Sequence, residues 1–171
     1  MKLVCAIAPD KFRDEEVLIP LRLFADAGIE TVIASTRAGT CEGMLGASVE
    51  ASVPFMAISP DDYDGIVIAG GIGSQDHLWG NSDLIALVRS FASAGKVVAA
   101  ICLSPVVLAR AGVLSGRKAT VFCSPGSTME MKRGGATQVD NDVVTDGRIV
   151  TANGPSASEN FAKAIIELLS I

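Results

Sequence analysis

Histidine is nearly absent from this 171-residue chain: His77 stands alone, beside one tryptophan, one tyrosine and four cysteines. Cys5, Cys41, Cys102 and Cys123 lie far apart, with no CxxC pair. One imidazole and scattered thiols do not make a zinc site, and a chain with this much core needs no disulfide framework. A reducing, cytoplasmic setting is expected. An excess of cations is missing too. Lys and Arg number 14 against 19 Asp and Glu, for a net charge of −5 and a pI near 4.8. That balance argues against nucleic acid or anionic membrane as partners. No apolar run approaches the ~18 residues of a membrane span, and the apolar start Leu3–Ala8 is short and lacks a cleavage site. GxGxxG is also missing from the first strand–helix turn, which carries acids instead. A dinucleotide or flavin binder is therefore disfavoured, and no cofactor is expected.

What the chain has in quantity is small and aliphatic: 49% of it is hydrophobic and only 5% aromatic. That mix suits tight helix–sheet packing better than an aromatic-rich β-sandwich. The length suits one domain, 1–171. The sharpest local signal is Lys96-Val97-Val98-Ala99-Ala100-Ile101-Cys102-Leu103-Ser104-Pro105. An unbroken apolar run of about seven residues fits a central parallel strand, hydrophobic on both faces. Ser104 and Pro105 then read as the N-cap and first residue of a helix. A cysteine between such a strand and helix occupies the position of a nucleophile elbow, where N–H groups and the helix dipole favour a thiolate. It reads equally as a small buried hydrophobe. The rest of the chain must decide.

Strands and helices alternate around that element. Leu3–Ala8 reads as a strand. The helix after it carries apolar residues at 17, 18, 21, 24 and 25, holds Pro20 and ends at Gly28; Thr31–Ser35 closes a β-α-β unit. Asp14, Glu15 and Glu16 in its first turn complement the helix dipole, and each taken singly reads as a solvated helix start. Residues 39–58 read as a β-hairpin insertion. Asp64–Ala69 is a buried strand followed by Gly70-Gly71, which let backbone N–H groups approach an anion. Leu78–Ala94 reads as a helix with His77 at its beginning, a surface or capping residue sooner than a catalyst. Later come a helix over Pro105–Ala111, a strand over Ala119–Phe122, a helix over Ser127–Arg133 and a hairpin through Asp146-Gly147. A last helix opens on a Ser156/Glu159 capping box, completing a doubly wound α/β domain.

Four ordered signals carry a resemblance over essentially the whole chain. They are Phe12-x-Asp14-x-Glu16-x-x-x-Pro20, Ile68-Ala69-Gly70-Gly71, Ala100-Ile101-Cys102-x-x-Pro105 with Leu108-Ala109-x-Ala111-Gly112, and Thr151-x-Asn153-Gly154-Pro155. The chain resembles the PfpI family, the intracellular-protease-like branch of the glutamine amidotransferase-like superfamily, which also holds the Parkinsonism-associated deglycase. The resemblance implies a flavodoxin-like three-layer α/β/α sandwich with a mainly parallel sheet and Cys102 as a strained elbow nucleophile. It implies that Glu16 approaches the Cys102 sulfur with a raised pKa, and that Gly71 and Leu103 supply N–H donors to an oxyanion. It also implies self-association as a homodimer or hexamer.

Two departures qualify the chemistry. Hydrolytic members carry a histidine directly after the nucleophile, where this chain has Leu103; others place one on the following strand or loop, where this chain has Phe122-Cys123. The first reading is a cysteine-nucleophile hydrolase acting on a small carbonyl or acyl adduct, free or on a modified protein. The alternative is a redox sensor or stress-protection protein that uses an oxidisable Cys102.

Overall fold

The computed structural model describes residues 1–171. From the amino end come β1 (Lys2–Ala6), β2 (Asp10–Phe12), α1 (Asp14–Asp26), β3 (Glu30–Ser35), β4 (Gly39–Gly43), β5 (Ser48–Ala51) and β6 (Val53–Pro54). The middle forms β7 (Gly65–Ile68), α2 (Ile72–His77), α3 (Ser82–Ser93), β8 (Val97–Ile101) and α4 (Pro105–Arg110). After these lie β9 (Lys118–Ala119), α5 (Pro125–Arg133), β10 (Thr137–Gln138), β11 (Val143–Asp146), β12 (Ile149–Ala152) and α6 (Ser158–Leu169). No helix is long and apolar enough to cross a membrane.

Seven strands make the main sheet in the order β11-β12-β8-β7-β1-β3-β6, all parallel except β11. Helices α1 and α6 pack on each other over one face, and α3 and α4 over the other. This is the flavodoxin-like α/β/α sandwich that the motifs imply. Covering both faces explains the strand sequences: every residue of β7 and β8 is buried, so alternation gives way to continuous apolar runs. From β1 the chain crosses to β3 on one side, and β7, β8 and β12 lie on the other. The gap between β1 and β7 is therefore a topological switch point, where loops diverge and leave a crevice at the carboxyl edge. The turns after β1, β7 and β8 all open there.

The 39–58 insertion is a hairpin over its first part. β4 and β5 pair antiparallel, and β2 joins β4 to make a separate three-stranded sheet. Beneath it Phe12, Ile7, Val17 and Cys41 form a small second core, which gives Phe12 of the first motif a packing role. The late hairpin turns at Gly147-Arg148 as the Asp146-Gly147 signal anticipates.

Several local expectations are corrected. The helix expected over Leu78–Ala94 starts only at Ser82, with a turn over 78–81 and a separate short helix, α2, before it. Asn81 breaks the chain and caps α3 by accepting the Leu84 N–H at 2.9 Å, so His77 ends α2 instead of opening α3. Ser104 occupies the N-cap position of α4 but makes no capping bond. Its hydroxyl donates to the Ala69 carbonyl at 2.6 Å and accepts from Ser74 at 2.8 Å, which ties the β8 turn to the β7 turn. Ser156 and Glu159 form no capping box, because a 3₁₀ turn over Pro155–Ala157 delays α6 to Ser158. A box forms instead at Ser124 and Ser127 of α5. Ala119–Phe122 joins a ladder only at Ala119; Phe122 spends its N–H on the Cys102 carbonyl at 2.7 Å. Leu18, read as part of the buried helix face, is 47% exposed.

Candidate active site

Cys102 follows the last residue of β8 at φ +65°, and Lys11 is the other non-glycine residue at positive φ. An L-residue in the left-handed region costs roughly 1–2 kcal/mol, so the elbow is strained and held by its surroundings. Those holdings are specific. Phe122 donates to the Cys102 carbonyl, Cys102 donates its N–H to Ala152 at 2.8 Å, and Trp79 Nε1 donates to the Leu103 carbonyl at 2.9 Å. The fold's one tryptophan thus fixes the residue after the cysteine. It is itself held by Arg110, which donates to the Trp79 carbonyl at 3.1 Å and pairs with Glu130 at 2.8 Å.

The Gly70-Gly71 turn lies against this elbow. A methyl group on Gly70 would stand 2.5 Å from Cys102 Cβ and 2.7 Å from Glu16 Oε1. Gly71 has φ +110°, and a methyl there would meet the Arg13 nitrogen at 2.5 Å. Two residues without side chains are what lets β7 turn, α1 and β8 converge. The backbone N–H groups of Gly71 and Leu103 sit beside the Cys102 sulfur and oppose the rise of its pKa.

Glu16 reaches the same point from the first turn of α1 and is 1% exposed. Its Oε1 accepts the Gly70 N–H at 3.1 Å, while Oε2 is buried with no hydrogen-bond partner. Cys102 is the carboxyl's titratable neighbour across Gly70. Burial raises Glu16 to about 8, against the opposing pull of Cys102, the Gly70 N–H and the Arg13 guanidinium. Burial also pushes the Cys102 thiol up to about 12. The Glu16 charge adds to that rise, and the Gly71 and Leu103 N–H groups oppose it. The thiolate anticipated from the helix start is therefore not the resting form. Desolvation of a cysteine only 7% exposed outweighs two N–H donors.

The three acids of the first turn have three fates. Asp14 is buried, its two oxygens accepting the N–H groups of Leu45 at 2.9 Å and Ala47 at 2.8 Å at the hairpin tip. Glu15 pairs with Arg13 at 2.9 Å. Glu16 meets the cysteine. Asp14, Arg13 and Trp79 were not legible as site residues; the single tryptophan and the one cation among the acids were the available signals.

A cavity of about 170 Å³ opens over Cys102. Met44, Ile72, Leu103, Phe122 and Pro155 supply apolar walls, and Gly71 and Arg13 complete it. The structure places Cys102, Glu16, Gly71 and Leu103 around one point. His77 is not among them; it lies at the far end of α2 and does not line the cavity. A larger depression of about 450 Å³ at the opposite edge of the sheet holds neither a thiol nor a buried carboxyl. Its cations Lys96, Arg117 and Arg148 are already bound to backbone carbonyls or Asp146. Among the side chains, no cluster has the composition of a metal site.

Comparison with known proteins agrees with this fold. The model of the DJ-1/PfpI family matches residues 1–168. An uncharacterized protein of Methanocaldococcus jannaschii is 45% identical over 98% of this chain and 82% of its own length. A protein of Pyrococcus horikoshii named as a deglycase is 33% identical over 97% of this chain and 98% of its own. The crystal structure of a ThiJ/PfpI domain protein from Brachyspira murdochii superposes with a TM-score of 0.94 at 31% identity, covering 99% of this chain and 96% of that one.

Proposed function

This chain belongs to the DJ-1/PfpI family, and from that premise we propose that it is a cysteine-nucleophile, hydrolase-like protein of the deglycase kind, acting at Cys102 on a small carbonyl or acyl adduct. The observation that carries the reading is the convergence of a strained cysteine and two backbone donors on one small cavity, with a buried carboxyl behind them at Gly70. The relative named as a deglycase supports it.

In this reading the reactive species is the Glu16–Cys102 pair after it has lost one of its two protons. The sulfur adds to the carbonyl carbon, and the displaced π electrons move to the oxygen, beside the N–H groups of Gly71 and Leu103. The proton left on Glu16 passes to that oxygen or to the departing group of an acyl adduct. The ionised Glu16 then accepts a proton from the water that releases the acyl group, a task for which His77 is not placed. Self-association belongs to the same reading. Ile72 and Phe122, each about half exposed at the cavity mouth, offer apolar surface for a second copy.

Turnover of a glycated or acylated small substrate should be abolished by Cys102→Ala. It should survive Cys5→Ala, because Cys5 is buried beneath the second sheet and its thiol is pushed up to about 12. Hydrolysis that persists without Cys102 would sink the reading.

One observation favours a second reading. No histidine lines the cavity to serve as a general base. Peroxide would then oxidise the Cys102 sulfur to sulfenic acid, with water as the reduced product, and a second equivalent would give the sulfinic acid. Stoichiometric peroxide consumption at Cys102 without any hydrolysis would select it.

A further inference from the structure

Arg13 is the one charged residue among the eight that line the Cys102 cavity, and the chemistry described above does not use it. We propose that Arg13 binds a carboxylate on the substrate, so that the site takes short oxo-carboxylates, with an aldehyde or ketone at Cys102 and a carboxylate on the guanidinium. The inference rests on the reading of Cys102 as a carbonyl-directed nucleophile.

The placement of Arg13 is firm. It precedes α1, and its backbone N–H donates to the Gly70 carbonyl at 2.9 Å, which fixes it against the turn that carries Gly71. Its side chain is 31% exposed, and Nε donates to Glu15 Oε2 at 2.9 Å. That bond orients the guanidinium while using only one of its nitrogens; Nη1 and Nη2 meet no protein acceptor. Two parallel donors in a fixed plane match a carboxylate, a match that a lysine cannot make. Arg13 lines the cavity and its partner Glu15 does not.

The remaining walls sharpen the choice. Met44, Ile72, Leu103, Phe122 and Pro155 offer no charged group to an anion, which makes Arg13 the sole discriminating element. At about 170 Å³ this is the smallest of the molecule's pockets, suited to a small molecule such as a short oxo-carboxylate. The covalent step balances without any oxidant. The S–H adds across the C=O bond, an S–C bond forms, the π bond breaks, and the thiol proton ends on the oxygen as a hemithioacetal.

The test is protection of Cys102 from iodoacetamide, read by mass spectrometry, with glyoxylate and acetaldehyde as competing carbonyl probes. Wild-type protein should be half-protected at a glyoxylate concentration about tenfold below that of acetaldehyde, the scale of one charge-assisted pair. Arg13→Gln should remove most of that ratio, and Arg13→Lys should restore part of it. In wild type, raising the ionic strength from about 0.01 to about 1 M should weaken the glyoxylate effect more than the acetaldehyde effect. This last arm needs no variant to fold. Equal protection by both probes, unmoved by salt or by Arg13→Gln, overturns the carboxylate assignment and leaves the nucleophile intact. Protection by neither probe overturns the carbonyl-directed reading itself, and the assignment with it.

Discussion

Glu16, in the first turn of α1, and Cys102, at the end of β8, close on the same point beside Gly70, where one added methyl would meet both, and burial raises the pKa of both. Two groups this close lose their protons as a unit, and the first step of the pair lies near the Glu16 value of about 8. The site is therefore fully protonated below that pH and holds one mobile proton above it.

The labelling rate of Cys102 should consequently rise through an inflection near pH 8. In Glu16→Gln no carboxyl proton can leave, and that inflection should vanish, with Cys102 titrating by itself at a value burial sets. Iodoacetamide kinetics resolved by mass spectrometry would decide it. An unchanged inflection in Glu16→Gln would break the pairing argument.

The same raised pKa has a consequence for stability. Folded protein holds the Glu16 proton up to about pH 8, whereas the unfolded chain releases it near the ordinary carboxyl value. Folding stability must therefore fall as pH rises between those two values, and the whole penalty is present above the folded pKa. The shift corresponds to a cost on the order of 5 kcal/mol at pH 9. Gln keeps the acceptor for the Gly70 N–H and has no charged form. Glu16→Gln should therefore be more stable than wild type at pH 9 by several kcal/mol, and nearly equal to it at pH 4. Urea midpoints at the two pH values test the sign, and a variant equally destabilised at both would refute it.

Gly70→Ala should disable the site without touching any of its reactive groups. The added methyl would stand 2.5 Å from Cys102 Cβ and 2.6 Å from the Ile101 carbonyl, contacts that force backbone movement at a cost of about 1–3 kcal/mol. Cys102 labelling should change by more than tenfold while the fold persists, as judged by thermal melting and circular dichroism. Wild-type reactivity in this variant would show the close approach to be slack.

Asp14 holds the hairpin that carries Met44 into the cavity wall. Asp14→Ala should leave the Leu45 and Ala47 N–H groups without acceptors and cost about 2–4 kcal/mol, two charge-assisted bonds reduced by solvent access. Amide exchange at Leu45 and Ala47 should accelerate together, ahead of the main sheet. If exchange there tracks global unfolding, the clamp is not local.

Much of this protein was settled by local sequence. The apolar runs at 65–68 and 97–101 could only be strands covered on both sides, and Gly70-Gly71 could only mark a turn that needs close approach. Cys102 before Ser104-Pro105 announced a strand-to-helix elbow. Other features were invisible because their cause is not local. Asn81 delays the helix expected from Leu78 to Ser82 by capping it through its own side chain, in a sequence whose apolar spacing begins earlier. The Ser104 hydroxyl has two partners on the β7 side and leaves the helix start uncapped.

The acids show the boundary most clearly. Asp14, Glu15 and Glu16 are interchangeable to a helix dipole, and nothing in their spacing assigns one to a hairpin, one to Arg13 and one to a thiol. The family resemblance alone singled out Glu16, and the packed structure shows the cause: Asp14 meets the hairpin, Glu15 meets Arg13 and Glu16 meets the Gly70 turn beside Cys102. The titration followed the same rule. A helix start argues for a thiolate, but the free energy of desolvation depends on how completely neighbouring elements close over the sulfur. Local sequence thus marked the strand ends and turns that carry Cys102, Leu103 and Gly71, since strand and turn chemistry is written in adjacent residues. Tertiary packing alone decided their protonation, because burial is a property of what distant segments bring to cover them.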